Sequence, residues 1–268
     1  MSGYIDALKG FSVSKRRAYC KHCGTTTPIL YRRGICSNCE LPIYAQQKST
    51  KDTDLKQWLT QYESELESEN YPAAINIYDQ IISIYNHPSY LYVQGINYVK
   101  YSNFMLKLIR YDRDGFMDIN ASYKKASNEL YYQAKLFFNK AIFQADKEIN
   151  KEHNDNELHY VSLLSYLKIG NLRGAQEMSE QLCIANEDSL YTYSNVLIKY
   201  YLKDSSIIQD VDIILKGEDY PITIFYYLSR TLFLKSKNKI ALQIINQVEK
   251  YISNKSILAL SKQITSYV

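Results

Sequence analysis

Residues 159–186, HYVSLLSYLKIGNLRGAQEMSEQLCIAN, divide at Gly170 into two apolar-rich stretches whose large side chains return every three or four residues. The first stretch stops at Gly170 as a helix does, and the second carries Ala175, a residue small enough for two helices to approach closely. Residues 220–252, YPITIFYYLSRTLFLKSKNKIALQIINQVEKYI, repeat this layout around Ala241. Residues 53–88 supply a third copy. There Thr53 or Asp54 caps a helix whose stripe is Leu55, Trp58, Leu59, Tyr62 and Leu66. A second helix begins at Tyr71-Pro72 and stops at Asn86-His87-Pro88. Trp58, the only tryptophan, falls in the apolar stripe and is read as core rather than as a binding site.

Ala74, Ala141, Ala175 and Ala241 mark the hairpins at intervals of 67, 34 and 66 residues, near multiples of the period that stacked helix-turn-helix units produce. The rhythm is broken in the middle. An irregular loop is expected between Asp112 and Ala121, then one long helix from Ser122 to Asn150 that contains neither Gly nor Pro. Over residues 54–255 the pattern resembles a degenerate tetratricopeptide-type solenoid, from which the tryptophan, glycine and proline of the usual unit are mostly missing. The resemblance implies protein recognition on a concave helical surface. The expected fold is mainly all-α, a helical solenoid preceded by a small β segment.

That small segment is set by cysteine. Four of the five cysteines form two C-x2-C pairs, Cys20-Lys-His-Cys23 and Cys36-Ser-Asn-Cys39, twelve residues apart. Each pair suits a tight knuckle, and Gly24 supplies permissive backbone after the first. Two knuckles brought together offer four thiolates in a tetrahedron, a donor set that Zn2+ accepts. With four sulfurs the shell is closed to an activated water, so one structural Zn2+ is expected. A disulfide framework suits a chain with an export signal, and a redox-active pair needs no second copy. His22 could replace a cysteine, but four thiolates suffice and His22 is expected to be exposed. Between the pairs, Thr25 to Tyr31 is rich in strand formers, and Arg32-Arg33-Gly34 suits a hairpin tip returning through Ile35. Residues 17–45 resemble the zinc-ribbon class on Cys20, Cys23, Gly24, Cys36 and Cys39, although Glu40 replaces the usual second glycine. The domains read from the sequence are a basic ribbon with a short extension (1–45), a polar linker (46–53) and a helical repeat domain (54–268).

Charge separates the same two parts. Residues 1–50 hold Lys9, Lys15, Arg16, Arg17, Lys21, Arg32, Arg33 and Lys48 against Asp6 and Glu40, a net charge of +6, whereas the remainder carries −2. The first fifth of the chain would draw a polyanion or an acidic protein face. Lys15, Arg16 and Arg17 flank the first knuckle, Lys21 lies within it and Arg32 and Arg33 stand at the hairpin tip, so these six are the candidate contacts to phosphate or to an acidic partner.

With 46% apolar and 22% charged residues the chain is an ordinary globular sequence, and only 9 Gly and 5 Pro argue against a Gly-rich barrel or phosphate-cradling enzyme. Its charge-free stretches fall short of the roughly 20 apolar residues a membrane span needs, and its start lacks the order of a secretory signal, so a cytoplasmic location is expected. Asp112, Asp114, Gly115 and Asp118 miss the calcium-loop register, because Arg110 and Ala121 fall on ligand positions. His153 and His159 are six apart, the wrong spacing for one helix face, and Cys183 sits on an apolar stripe. No nucleophile elbow, phosphate loop or HExxH motif is present, so catalysis and a small-molecule substrate are not expected. The 27 tyrosines are read as packing groups, Tyr131-Tyr132 among them. The leading expectation is an adaptor whose ribbon touches nucleic acid or a nucleoprotein complex and whose helices bind a protein partner. The alternative is a pure interaction scaffold with the ribbon as a docking module, and a weaker third is an enzyme with an unrecognised helical site.

Overall fold

The computed structural model describes residues 16–29, 33–44, 53–111, 117–149, 155–184, 188–202, 204, 206, 222–234, 236–249 and 255–268. These residues form a mainly all-α chain with a small β region at its N-terminal end, as the sequence pattern predicts. Four strands come first: β1 (Arg16–Tyr19), β2 (Thr26–Ile29), β3 (Arg33–Ile35) and β4 (Pro42–Tyr44). Helices α1 (Thr53–Glu67), α2 (Tyr71–Ile84), α3 (Pro88–Tyr111), α4 (Met117–Ile149) and α5 (Asn156–Ile169) follow. The chain continues as α6 (Leu172–Ile184), α7 (Asp188–Tyr201), α8 (Ile222–Leu234), α9 (Asn238–Glu249) and α10 (Lys255–Thr265).

The sequence signals for helix ends are used. Pro72 sits in the first turn of α2, where its missing N–H is not needed. The Asp155 carboxylate accepts from the Glu157 and Leu158 N–H groups at the start of α5, and Gly170 ends that helix at φ 84°. Ala74, Ala141, Ala175 and Ala241 are all fully buried, as residues at close helix crossings should be. The long helix expected from Ser122 begins earlier, at Met117, so the last part of the expected loop is helical. The calcium-like residues Asp112, Asp114 and Gly115 lie outside the described residues.

Two corrections concern the strands and the tyrosines. The sequence reading paired the strand before Arg32-Arg33-Gly34 with the strand after it. Instead β1 pairs with β2 and β3 with β4, each antiparallel, so each knuckle is the turn of its own hairpin. Cys20 N–H donates to the Thr25 carbonyl and Cys36 N–H to the Leu41 carbonyl, so each antiparallel ladder runs on into its own knuckle. Arg33 and Gly34 lie within β3, and Leu30 to Arg32 are outside the described residues. Tyr62, Tyr78, Tyr92 and Tyr160 are fully buried packing groups as expected, but Tyr131 and Tyr132 are exposed because they lie off the inward face of α4. Trp58 is half-buried.

The described parts of the chain fall into two compact units. One gathers residues up to 19, the segment 26–47 and residues from Ser179 onward. Within it Ile29, Ile35, Leu41 and Ile43 bury their side chains on the hairpins, and the Ser229 hydroxyl donates to the Ala241 carbonyl at 2.6 Å where α8 meets α9. The other unit holds residues 20–25 and 48–178, the tip of the first knuckle together with α1 to α5. Its core carries a chain of buried hydrogen bonds. Tyr62 Oη donates to Asn97 Oδ1, Asn97 Nδ2 to Gln94 Oε1 at 2.9 Å, and Gln94 Nε2 to the Ile75 carbonyl at 3.1 Å. No described helix is long and apolar enough to cross a membrane.

Candidate metal centre

The two knuckles share one backbone design. In the first, Cys20 N–H donates to the Thr25 carbonyl at 3.0 Å and Gly24 N–H to the Cys20 carbonyl at 2.9 Å. In the second, Cys36 N–H donates to Leu41 at 2.9 Å and Glu40 N–H to Cys36 at 3.0 Å. The turn ends in the left-handed region both times, at Gly24 with φ 78° and at Glu40 with φ 65°. Glu40 therefore fills the place of the missing second glycine by adopting its backbone conformation. The second knuckle is tied further, because Thr27 Oγ1 accepts from Ser37 N–H at 3.2 Å and Asn38 N–H donates to Cys36 Sγ at 3.4 Å.

Cys20, Cys23, Cys36 and Cys39 are all buried, and their four Sγ atoms lie within 4.8 Å of one another. A tetrahedron with metal–sulfur bonds of ~2.3 Å has sulfur–sulfur edges of about 3.8 Å, so the cluster matches that polyhedron with small adjustments. Among the described residues this is the group placed to hold a metal ion. Four buried thiolates would repel one another, and a cation at their centre removes that repulsion as an N–H···S bond alone cannot.

The tip of the first knuckle is packed against helices of its own unit. A Cβ built on Gly24 would stand 3.0 Å from the Leu59 carbonyl oxygen and 3.2 Å from Leu59 Cβ, so α1 approaches the knuckle backbone itself. Tyr78 Oη, from α2, donates to the His22 carbonyl. The His22 ring meets the Tyr90 ring edge-on at 5.9 Å between centroids. Glu157, near the start of α5, receives three groups. Lys21 Nζ lies 2.7 Å from Oε2, the Ser89 hydroxyl donates to Oε1 at 2.9 Å, and His22 Nε2 approaches Oε1 at 3.1 Å without hydrogen-bond alignment. The expectation that His22 is exposed is corrected: it is 3% exposed, because the knuckle turns this side chain toward the helices.

Electrostatics at this contact favour a charged Glu157. Burial alone would raise its carboxyl, but the His22 ring and the Lys21 ammonium outweigh that and hold it well below the usual carboxylate range. His87, close by, is lowered too, which for an imidazole favours the neutral form. Burial lowers its imidazole against the opposing pull of Glu157. Glu63 on α1 is raised by burial first, then by Glu67 and by the Cys23 sulfur.

Of the basic residues singled out by sequence, Arg17 on β1 is exposed and Lys21 is bound to Glu157. Arg16 stands opposite Ile29 and Arg33 opposite Tyr44 in the strand register, and Lys15 and Arg32 lie outside the described residues. His159 is buried with Nδ1 3.0 Å from the Asp155 carbonyl oxygen, while His153 and the Cys183 side chain are outside the described set. Sequence reasoning missed Glu157, Tyr78, Ser89 and Tyr90. Asp155, a residue type that caps helices, could have placed Glu157 at a helix start, but nothing local links it to a knuckle 136 residues away. Neither a known protein family nor a curated protein matches this chain.

Two predictions follow the knuckle contact. Gly24→Ala and Gly170→Ala both place a side chain at positive φ, costing about 1–2 kcal/mol, but Gly170 has nothing within 4 Å of a new Cβ and Gly24 has Leu59. Denaturant titration should show Gly24→Ala losing clearly more stability than Gly170→Ala. Glu157→Gln should destabilise the chain by about 1–3 kcal/mol at neutral pH by weakening a charge-assisted, largely buried contact. An unfolded carboxyl titrates near ~4.3, and the folded value is lower. This stabilisation is therefore whole above that pH and fades as pH falls toward the folded value, so the gap between wild type and Glu157→Gln should close in acid. A gap that stays constant from neutral to acid pH would contradict the assignment.

Proposed function

We propose that the chain is a non-enzymatic adaptor. Cys20, Cys23, Cys36 and Cys39 hold one structural Zn2+, the basic ribbon contacts nucleic acid or a nucleoprotein complex, and the helical part, read as a degenerate tetratricopeptide-type repeat, binds a protein partner in the cytoplasm. Zinc suits four soft thiolates in a tetrahedron and leaves no coordination position for water, so its work here is to fold and not to react. Metal binding of this kind contributes on the order of 10–16 kcal/mol to folding, more than two short hairpins supply by burial.

The observation that carries the reading is the concentration of charge: a net +6 in residues 1–50 around the four-cysteine cluster. With Lys21 held by Glu157, phosphate contact falls to Arg17 and to Lys15, Arg16, Arg32 and Arg33. A second reading is favoured by the same ion pair. Lys21 and His22 face the helices, as they would in a ribbon that serves as a docking module in a pure protein scaffold.

Salt titration of generic DNA and RNA binding separates the two. About five phosphate contacts predict a slope of log K against log salt near −4, and Arg16→Ala with Arg17→Ala should make it shallower. No affinity at low salt, or a flat profile, removes the nucleic-acid half and leaves the scaffold. Elemental analysis should find one zinc per chain, lost in Cys36→Ser with melting of the N-terminal hairpins. A metal-free preparation of unchanged stability would overturn the structural role.

A further inference from the structure

The net −2 of residues 51–268 conceals a division. Residues 222–268 hold seven basic side chains against one acidic, Glu249, a net charge of +6, whereas residues 51–221 hold 17 basic and 25 acidic, a net charge of −8. The last part of the chain is therefore as basic as the first. Arg16, Arg17 and Arg33 of the hairpins and the whole of α8, α9 and α10 belong to one compact unit, within which β3 packs on α8.

Four cations collect at one end of these three helices, which pack on one another. The turn from α8 to α9 is tight: Ser236 stands at φ 58°, Lys237 N–H donates to the Leu232 carbonyl at 2.9 Å, and Ala241 N–H donates to the Lys237 carbonyl at 3.0 Å as α9 begins. Asn238 Nδ2 donates to the Tyr267 carbonyl at 3.2 Å, and the Phe233 and Tyr267 rings meet edge-on at 5.5 Å. The end of α8, the start of α9 and the end of α10 therefore lie together. The end of α7 joins them through Tyr200, whose ring centre is 5.4 Å from the Arg230 guanidinium. Arg230, Lys237, Lys239 and Lys262 are exposed at this end, and none of them forms an ion pair among the described residues. Asp204, just beyond α7, brings one carboxylate, while Glu249 lies at the far end of α9.

Fold stability accounts for only part of this charge. Lys262 in the last turn of α10 and Arg230 one turn from the end of α8 suit the negative ends of their helices, but Lys237 and Lys239 open α9, where a cation is unfavourable. Open rings stand among the cations, with Tyr267 66% and Tyr201 43% exposed. Cations interleaved with aromatic faces suit a single strand, whose phosphates and unstacked bases use both, whereas an acidic peptide or an anionic membrane uses the charge alone. We propose that this end of α8, α9 and α10 binds single-stranded nucleic acid, with Arg230, Lys237, Lys239 and Lys262 on phosphates and Tyr267 stacked on a base. The proposal rests on the nucleic-acid role given to the ribbon and adds a second contact area in the same compact unit.

The test is fluorescence anisotropy of the full chain with labelled single-stranded RNA and DNA of about 15 nucleotides, read across a salt series. Lys237→Gln with Lys239→Gln should weaken binding about tenfold and make the slope of log K against log salt shallower by about 1.4, two phosphate contacts on a single strand. Tyr267→Ser should weaken binding about fivefold or more with the slope unchanged, and Tyr267→Phe should bind as wild type does. Lys56→Gln with Lys140→Gln changes the net charge equally at exposed positions elsewhere and should leave affinity and slope unaltered. All these side chains are exposed, and unchanged thermal melting shows that the variants fold. Insensitivity to Lys237→Gln with Lys239→Gln, an equal loss in both lysine pairs, or a Tyr267→Ser variant equal to wild type would each overturn the proposal. So would polyglutamate or phosphatidylserine vesicles held more tightly than RNA and released by the Lys237→Gln, Lys239→Gln variant. Binding lost in Arg16→Ala with Arg17→Ala but kept by the C-terminal variants sinks this surface alone, whereas a wild type that binds neither RNA nor DNA sinks the nucleic-acid role as well.

Discussion

Gly24 and the residues around it set the terms for half of this molecule. A knuckle of six residues has no core, and its backbone polar groups need partners that its own side chains do not supply. Here Leu59 closes over the bare Cα of Gly24, Tyr78 donates to the carbonyl of His22, and Glu157 takes up Lys21. Any side chain at position 24 would push α1 away, and the remaining contacts would have to stretch with it. The metal-ligand set and the helix packing thus constrain the same few residues from two sides, so a change in either is felt by the other.

Glu157 shows how burial and charge are balanced at that contact. A carboxylate brought largely out of water is stable only if its lone pairs are met, and it has a hydroxyl, an ammonium and an imidazole around it. The Asp155 cap fixes the first turn of α5, which sets the direction in which Glu157 projects. Placement at a helix N-terminus adds the favourable end of the helix dipole. One local feature, an N-cap, therefore positions a long-range ion pair, and that pair removes Lys21 from the set of cations open to a partner.

What was legible in the sequence had local causes. Four cysteines at fixed spacing, Pro72 in a first turn, Gly170 at a helix end and four alanines on buried stripes are each dictated within a few residues, and each is found so. What was not legible depended on distant partners. His22 was expected in solvent because four thiolates leave it no ligand role, yet the helices that bury it lie more than fifty residues on. The strand pairing was not legible because Arg32-Arg33-Gly34 has turn chemistry, while the knuckles themselves carry each ladder through a hydrogen-bonded turn. Tyr131 and Tyr132 have the spacing of core residues, but a helix of 33 residues presents more faces than its neighbours cover.

That excess of face over cover has a cost in exposed apolar area. α4 is longer than α3 and much longer than α5, the helices it packs against, so an apolar side chain on its outer stripe gains nothing from the fold itself. Lysines beside exposed rings keep such a stripe soluble, since an ammonium with its stem along an aromatic edge shields apolar area while carrying charge into water.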